Sequence, residues 1–138
     1  MADEGQRFTV SRLQEAHFTT GMRAYFQDRD LGIAEATGGR AMAVVHRACA
    51  PCPPGGSGMH LHRLEFQMNY LLKGWLRVAL GDGEEIEFKA GDAWLQPPEI
   101  PHNVTGFSED LEVLEITLPA GFETEEVRGS PRRGPDGM

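Results

Sequence analysis

The chain has 138 residues, 25% of them charged, and a formal net charge of -8 at pH 7, which fits a single domain with its own core. Because the charge is acidic and no basic cluster exceeds the Arg132-Arg133 pair, we expect no nucleic-acid partner. No apolar run is long enough to cross a bilayer and the polar N-terminus lacks a signal-peptide pattern, so we expect a cytoplasmic protein with no membrane partner.

The first third of the chain predicts a polar arm followed by strands. Residues 1–20 form the N-terminal arm, in which a short helix over 11–17 has Ser11 as its N-cap. A strand over 22–29 follows, and after a turn-rich segment an apolar strand covers 40–48.

The rest of the chain continues with short strands separated by Gly and Pro. On a strand over 65–72, alternation places Gln67, Asn69 and Leu71 on the inward face. The residues between them point the other way, toward a second packing layer. These are Phe66, Met68, Tyr70 and Leu72. The remaining predicted strands cover 74–79, 84–89, 93–96, 104–107 and 111–118, with a hairpin turn at 81–83.

Many short strands at close spacing favour an all-β, double-sheet barrel. We place this barrel domain over residues 21–122. Beyond it the composition becomes acidic and then rich in Pro, Gly and Arg, which predicts a disordered tail over 123–138.

The two cysteines form a Cys-x-x-Cys motif, Cys49 to Cys52, that could be redox-active or bind metal. No second pair completes a zinc site, and the motif does not open a helix in a recognisable redox unit. We therefore interpret these cysteines as having no functional role.

Three of the five histidines suggest a metal site. His60 and His62 are separated by one residue, so in a strand both imidazoles point to the same face and can reach one ion. Gln67 and His102 complete the candidate ligand set. His17 and His46 lie outside this pattern, and we interpret them as surface or structural residues.

The spacing of these residues resembles the two motifs of the cupin superfamily. The first motif has His-x-His, a Glu after four further residues, and a Gly, and here it ends at Gly74. The second has Gly, Pro, Gly and a last His, and here it starts at Gly91. The resemblance covers residues 40–120 and implies a double-stranded β-helix, or jelly roll. The chain departs from the motifs at four positions: Gln67 for Glu, Pro54 for Gly, Glu99 for Gly and Gly106 for Asn.

A cupin site would hold one divalent transition metal ion, and neutral imidazoles suit Fe, Mn, Co, Ni, Cu or Zn without selecting among them. Gln67 carries no charge, so the site would keep the full charge of the ion and attract an anionic oxygen of a substrate. The alternative is that Gln67 only forms hydrogen bonds inside the barrel.

Other side chains could reach a ligand. Asn69 and Tyr25 are candidates for contacting the metal ligands or a substrate, although a buried amide is equally typical of a barrel interior. Trp75, Trp94 and Arg23 could also reach a ligand, but aromatic residues on strands are more often core or interface residues, and a single Arg on an early strand is more often solvated.

Two function classes follow. The first is a metal-dependent enzyme of oxygenase (for example dioxygenase), isomerase, cyclase or lyase type that acts on a small organic molecule. Its reaction cannot be named, because Glu65 and Glu99 are not placed to touch a substrate. The second is a non-catalytic module that binds or senses a small ligand, with a structural metal or none. The resemblance also implies a homodimer, formed through the early strand around Tyr25.

Overall fold

The computed structural model of the chain describes residues 5–21 and 23–127. Most regular structure in these residues is β-strand, arranged as two antiparallel sheets. The first elements are a 3-10 helix (Leu13–Glu15), β1 (Thr19–Thr20), β2 (Phe26–Asp30), α1 (Ile33–Ala36), β3 (Met42–Ala48), β4 (His60–Arg63) and β5 (Phe66–Lys73). The others are β6 (Trp75–Leu80), β7 (Glu85–Lys89), β8 (Ala93–Leu95), β9 (His102–Phe107), β10 (Glu112–Leu118) and β11 (Glu123–Glu126).

The strand order confirms the predicted jelly roll. One sheet has six strands in the order β1-β2-β3-β10-β5-β8, and the other has five in the order β11-β4-β9-β6-β7. From β3 to β6 each strand lies in the sheet opposite the one before it, and the same holds from β8 to β11. This connectivity winds the chain around the space between the sheets.

The interior changes from polar to apolar along the strands. On β5 the inward residues are Gln67 and Asn69 and then Leu71, and on β10, which runs antiparallel to it, Leu71 pairs with Val113 and Gln67 with Thr117. One end of the barrel is therefore filled by an apolar core, which excludes water, while the other end is lined by polar side chains. The core cluster contains Tyr25, Phe26, Leu71, Leu76, Val78, Val104, Phe107, Leu111 and Val113.

The N-terminal arm differs from its prediction. The helix covers only Leu13–Glu15, and its N-cap residue is Arg12, which makes no side-chain capping bond. The hydroxyl of Ser11 instead accepts a hydrogen bond from Arg29 Nη2 at 2.9 Å. The early strand begins at Phe26, and Met22, where it was predicted to begin, lies outside the described residues.

Two predictions about the barrel surface are wrong. Two of the outward side chains of β5, Tyr70 at 41% and Leu72 at 45%, are exposed rather than packed against a second layer of the described residues, whereas Phe66 and Met68 are partly buried. The predicted disordered tail includes β11, which pairs with β4 along its whole length, from Glu123 opposite Arg63 to Glu126 opposite His60. Residues 128–138 of that tail lie outside the described residues.

A motif departure is visible in the backbone. Glu99, which stands where the second cupin motif prefers Gly, has a φ of 64°, in the left-handed region that favours glycine.

The described chain contains no helix long and apolar enough to span a membrane.

Candidate metal centre

Three buried imidazoles meet at the polar end of the barrel. His60 and His62 point inward from β4, and His102, the first residue of β9, pairs with His60 across the five-stranded sheet. The ring centroids are 4.4 to 5.0 Å apart, and one ligand atom from each residue lies within 4.8 Å of the others. This arrangement can hold a metal ion, as the sequence predicts for these three residues.

The hydrogen bonds of two rings determine which nitrogen carries the proton. The Nδ1 atoms of His60 and His102 donate to the carbonyl oxygens of Gly58 and Ile100, at 2.7 and 3.0 Å. Because a carbonyl can only accept, each Nδ1 bears the hydrogen and each Nε2 presents a lone pair. The Nε2 of His60 is buried and has no hydrogen-bond partner among the described residues, as expected for a ligand atom.

The third ring is held by the last strand. His62 Nδ1 lies 2.9 Å from the hydroxyl of Thr124 on β11. A hydrogen bond to Nδ1 orients a ligating imidazole and directs its Nε2 toward the metal. The strand that the sequence predicts as tail therefore supports the centre.

Burial keeps the imidazoles neutral. Desolvation, helped by the nearby His102, lowers the pKa of His60 to about 2. Desolvation also lowers the pKa of His102. A neutral imidazole is the form that binds metal, so protons do not compete for these two ligands near neutral pH.

Gln67 presents a fourth candidate ligand atom, its Oε1, at the same end of the barrel. It is buried on β5, and its Nε2 donates to a carboxylate oxygen of Glu115 at 2.5 Å. A carboxylate only accepts, so the amide nitrogen must face Glu115 and Oε1 must face away from it. Oε1 is buried without a hydrogen-bond partner among the described residues. Whether this oxygen ligates a metal stays a prediction.

Glu115 belongs to a buried ionic chain. Its other oxygen lies 2.7 Å from His46 Nε2, and His46 Nδ1 lies 2.7 Å from Asp28. Burial alone would lower the pKa of His46, but the hydrogen bonds and charges of Asp28 and Glu115 outweigh it and raise this pKa to about 10. Burial would raise the pKa of Glu115, but the contact with His46 lowers it. The buried ionic chain is therefore an imidazolium between two carboxylates, and it ends at the amide of Gln67.

This buried ionic chain explains why position 67 holds Gln instead of the Glu of the cupin motif. A carboxylate at position 67 would lie against the carboxylate of Glu115, with no hydrogen to donate, and two like charges in a buried site cannot both ionise. An amide donates to Glu115 and still offers an oxygen to the centre. The sequence does contain a signal for Glu115, because it is a charged side chain at an inward position of β10, two residues after the apolar Val113.

The other predicted contacts lie in different surroundings. Asn69 is buried, and its Oδ1 has no hydrogen-bond partner among the described residues. Tyr25 lies in the apolar core, where its ring stacks on Phe107 at 5.6 Å. Asn69 lines a small cavity together with Gln67, Val78, Trp94, Gln96, His102 and Val104.

Two charged side chains near the centre were not found from the sequence. Arg23, predicted to be solvated, is 6% exposed. Glu126 lies opposite His60 on the same face of β11 as Thr124, and its carboxylate oxygens are buried without a hydrogen-bond partner in the described part of the chain.

Cys49 and Cys52 form no disulfide, and the Sγ of Cys49 donates to Ala24 O at 3.4 Å.

The segment that contains the three histidines matches a known protein family. The family model described as Cupin domain matches residues 52–117, which contain all three histidines. Residues 52–117 of the chain therefore form a cupin domain. A search of curated proteins finds no sequence match.

Solved structures share the cupin fold over most of the chain. KdgF from Halomonas sp. is similar with a TM-score of 0.63 and 22% identity, over 92% of this chain and 96% of that one. The polyketide cyclase RemF from Streptomyces resistomycificus has a TM-score of 0.69 and 19% identity, over 91% and 89%. The iron(II) form of HppE has a TM-score of 0.63 and 13% identity, over 84% of this cupin and 62% of HppE. At these identities the similarity establishes the fold alone.

Proposed function

We propose that this cupin is a metal-dependent enzyme that acts on a small organic molecule, with one divalent transition metal ion bound by His60, His62, Gln67 and His102. One observation carries the proposal: the Nε2 of His60 and the Oε1 of Gln67 are buried lone-pair donors without hydrogen-bond partners among the described residues. Unpaired polar atoms are costly in a protein interior, and a cation would satisfy both.

The residues present fit a metal ion that keeps open coordination positions. Three imidazoles and one amide oxygen are four ligands, which is fewer than the six that iron, manganese or nickel accept. The ion would supply Lewis-acid chemistry, and redox chemistry if it is iron or copper. Iron is one candidate because HppE, which shares the fold, is known in an iron(II) form. RemF is a cyclase by name, which supports an enzyme of cyclase or related type.

Side chains around the metal ligands can bind the substrate and exclude water. The side chains of Asn69 and Glu126 present buried oxygens without hydrogen-bond partners among the described residues, and these oxygens can orient a substrate. The apolar core fills the opposite end of the barrel and keeps water out of that end.

Metal analysis tests the proposal. Elemental analysis by mass spectrometry on protein purified without a metal-affinity column should find close to one transition metal ion per chain in the wild type. The His60→Ala variant should lose it, and a His17→Ala control should keep it, because His17 is exposed. No bound metal in the wild type, even after reloading, would overturn the proposal and favour the metal-free binding module.

A second measurement separates an enzyme from a structural metal site. Azide or nitric oxide should change the spectrum of the iron- or copper-loaded protein, because open coordination positions accept an exogenous ligand. An unchanged spectrum in a protein that does hold metal would indicate a saturated, structural ion.

We also propose that the chain forms a homodimer. The arm exposes three apolar side chains, with Phe8 at 92% and Leu13 at 75%, and Val10 between them. The outer face of the six-stranded sheet exposes Tyr70 and Leu72. Such apolar surfaces are typical of protein interfaces. Tyr25, in contrast, is buried in the core of its own chain. Light scattering at micromolar concentration should give twice the chain mass of 15.2 kDa, and a monomeric mass would contradict this proposal.

A further inference from the structure

The guanidinium of Arg23 is buried with most of its hydrogen-bonding capacity unused. The side chain is 6% exposed, and Nη1 donates to the carbonyl oxygen of Ser57 at 3.2 Å. Nε and Nη2 are buried without a hydrogen-bond partner among the described residues. A guanidinium stays charged at every physiological pH, so a buried one requires an anion or several acceptors.

The two unpaired nitrogens form one edge of the guanidinium plane. The N–H groups of Nε and Nη2 point in the same direction, about as far apart as the two oxygens of a carboxylate. The hydrogen bond to Ser57 uses the other side of the group, at Nη1. The edge suited to a bidentate pair with a carboxylate is therefore the edge left unused.

The position of this edge is fixed by the loop before β4. Ser57 is fully buried, its amide donates to Val104 O at 2.9 Å, and its hydroxyl accepts from Val104 N at 2.9 Å. A side chain at Gly56 would place its Cβ 2.1 Å from the same carbonyl, so the loop lies directly against β9. Since Ser57 is held in this way, Arg23 is anchored to a rigid support rather than to a mobile loop.

This support lies beside the metal centre. Ser57 precedes His60 by three residues, and Val104 follows His102 by two. The positive charge of Arg23 also contributes to the low pKa of both histidines, after the larger effect of burial. Arg23 therefore faces the same polar end of the barrel as the three imidazoles.

We propose that Arg23 binds the carboxylate of the substrate, with Nε and Nη2 donating to its two oxygens, so that the substrate is a small organic acid. This assignment deepens the proposed function and takes the metal centre from it, but the anion site itself is complete in the protein without metal. A carboxylate there satisfies both unpaired donors and neutralises the buried charge. It also places the adjoining carbon atoms of the acid next to the centre.

Ligand binding to the metal-free protein tests this assignment without an activity assay. Pyruvate serves as the probe, with pyruvamide as its uncharged analogue and inorganic phosphate as a tetrahedral anion, each followed by calorimetry or protein NMR. Wild type should bind pyruvate about tenfold or more tightly than either comparison ligand. Equal binding of pyruvate and pyruvamide, or no pyruvate binding, would overturn the proposal. Phosphate binding as tight as pyruvate binding would overturn the assignment to a carboxylate.

Variants then assign the effect to Arg23. Arg23→Met should weaken pyruvate binding about tenfold or more, and Arg23→Lys, which keeps the charge but loses the planar edge, should lie between it and wild type. Arg77→Met is the matched control, because Arg77 contacts Trp75 and Glu87 on the outer side of β6 and should bind pyruvate like wild type. Unchanged binding in both Arg23 variants would refute the assignment. If Arg23→Met does not fold, Arg23→Lys and the wild-type comparison still decide.

The metal content of the same variants separates this inference from the proposed function. Metal retained by Arg23→Met together with unchanged pyruvate binding would overturn only the role of Arg23. A wild type that holds no metal but binds pyruvate through Arg23 would overturn the metal-dependent enzyme and leave the anion site established.

Discussion

Replacing His46 by Gln tests whether the buried chain behind the metal centre is ionic. His46 is buried between Asp28 and Glu115, with both ring nitrogens 2.7 Å from a carboxylate oxygen. A glutamine can form hydrogen bonds with one or both carboxylates but cannot carry a charge. His46→Gln therefore removes the ionisation and keeps a polar side chain of similar size.

The expected magnitude follows from the pKa of His46, which the fold raises from 6.5 to about 10. A raised pKa means that the folded state keeps a proton that the unfolded chain releases above about pH 6.5. The stabilisation is complete below that pH and is lost as the pH rises through the folded-state value. Within this window the free energy of unfolding falls by up to ~1.4 kcal/mol per pH unit, which amounts to about 2.5 kcal/mol between pH 7 and 9. The lowered pKa of Glu115 arises from the same contact and is not counted again.

The assay is urea unfolding of the metal-free protein at several values between pH 7 and 9. The quantity to compare is the difference in unfolding free energy between wild type and His46→Gln, because all other side chains are the same in both proteins and their contributions cancel. This difference should shrink by about 2.5 kcal/mol across the range. His17→Gln, which changes an exposed histidine, should show no such trend. A difference that stays constant within about 0.5 kcal/mol would refute a charged His46.

Three further substitutions have clear expectations. Gln67→Glu should destabilise the metal-free protein by about 2 kcal/mol or more because it sets a carboxylate against Glu115, and the double variant Gln67→Glu, Glu115→Gln should recover most of the loss. Urea unfolding of the wild type, the single variant and the double variant measures these differences, and a single variant as stable as wild type would contradict the explanation for the amide. Thr124→Val should lower metal affinity about tenfold or more by releasing the ring of His62, which a chelator competition assay would detect or exclude. Leu71→Ala should cost about 2 to 5 kcal/mol of stability while keeping metal bound, and loss of metal from the folded variant would show that the two ends of the barrel are not independent.

The residues that the sequence predicts correctly are those on regular strands. His60 and His62 lie on one face because a strand repeats every two residues, and the same rule places Gln67, Asn69 and Leu71 inward on β5. Local periodicity determines these orientations, and the fixed order of the two cupin motifs adds His102. Nothing beyond the strand itself is needed to know which way these side chains point.

The residues that the sequence misses depend on contacts made far along the chain. Arg23 precedes its strand, so no periodicity reports its burial, and its support is Ser57. β11 is rich in Glu and predicts a solvated tail, but an edge strand tolerates charged outward residues, and pairing with β4 turns Thr124 and Glu126 inward. For His46 the sequence predicts a surface or a structural residue, and the fold shows the structural alternative, with the ring buried between two carboxylates.

The charges of the centre point to the kind of ligand that it binds. The cupin Glu would bring a negative charge to the metal, but here that position holds the neutral Gln67. The carboxylate of Glu115, which contacts this amide, is already paired with the imidazolium of His46. This leaves Glu126 as a single buried carboxylate to set against the positive charges of the centre. A divalent ion and the guanidinium of Arg23 would then face the same interior, and a buried excess of positive charge is costly. We therefore expect an acidic substrate to supply negative charge on binding, and the replacement of Glu by Gln to favour organic acids over neutral molecules.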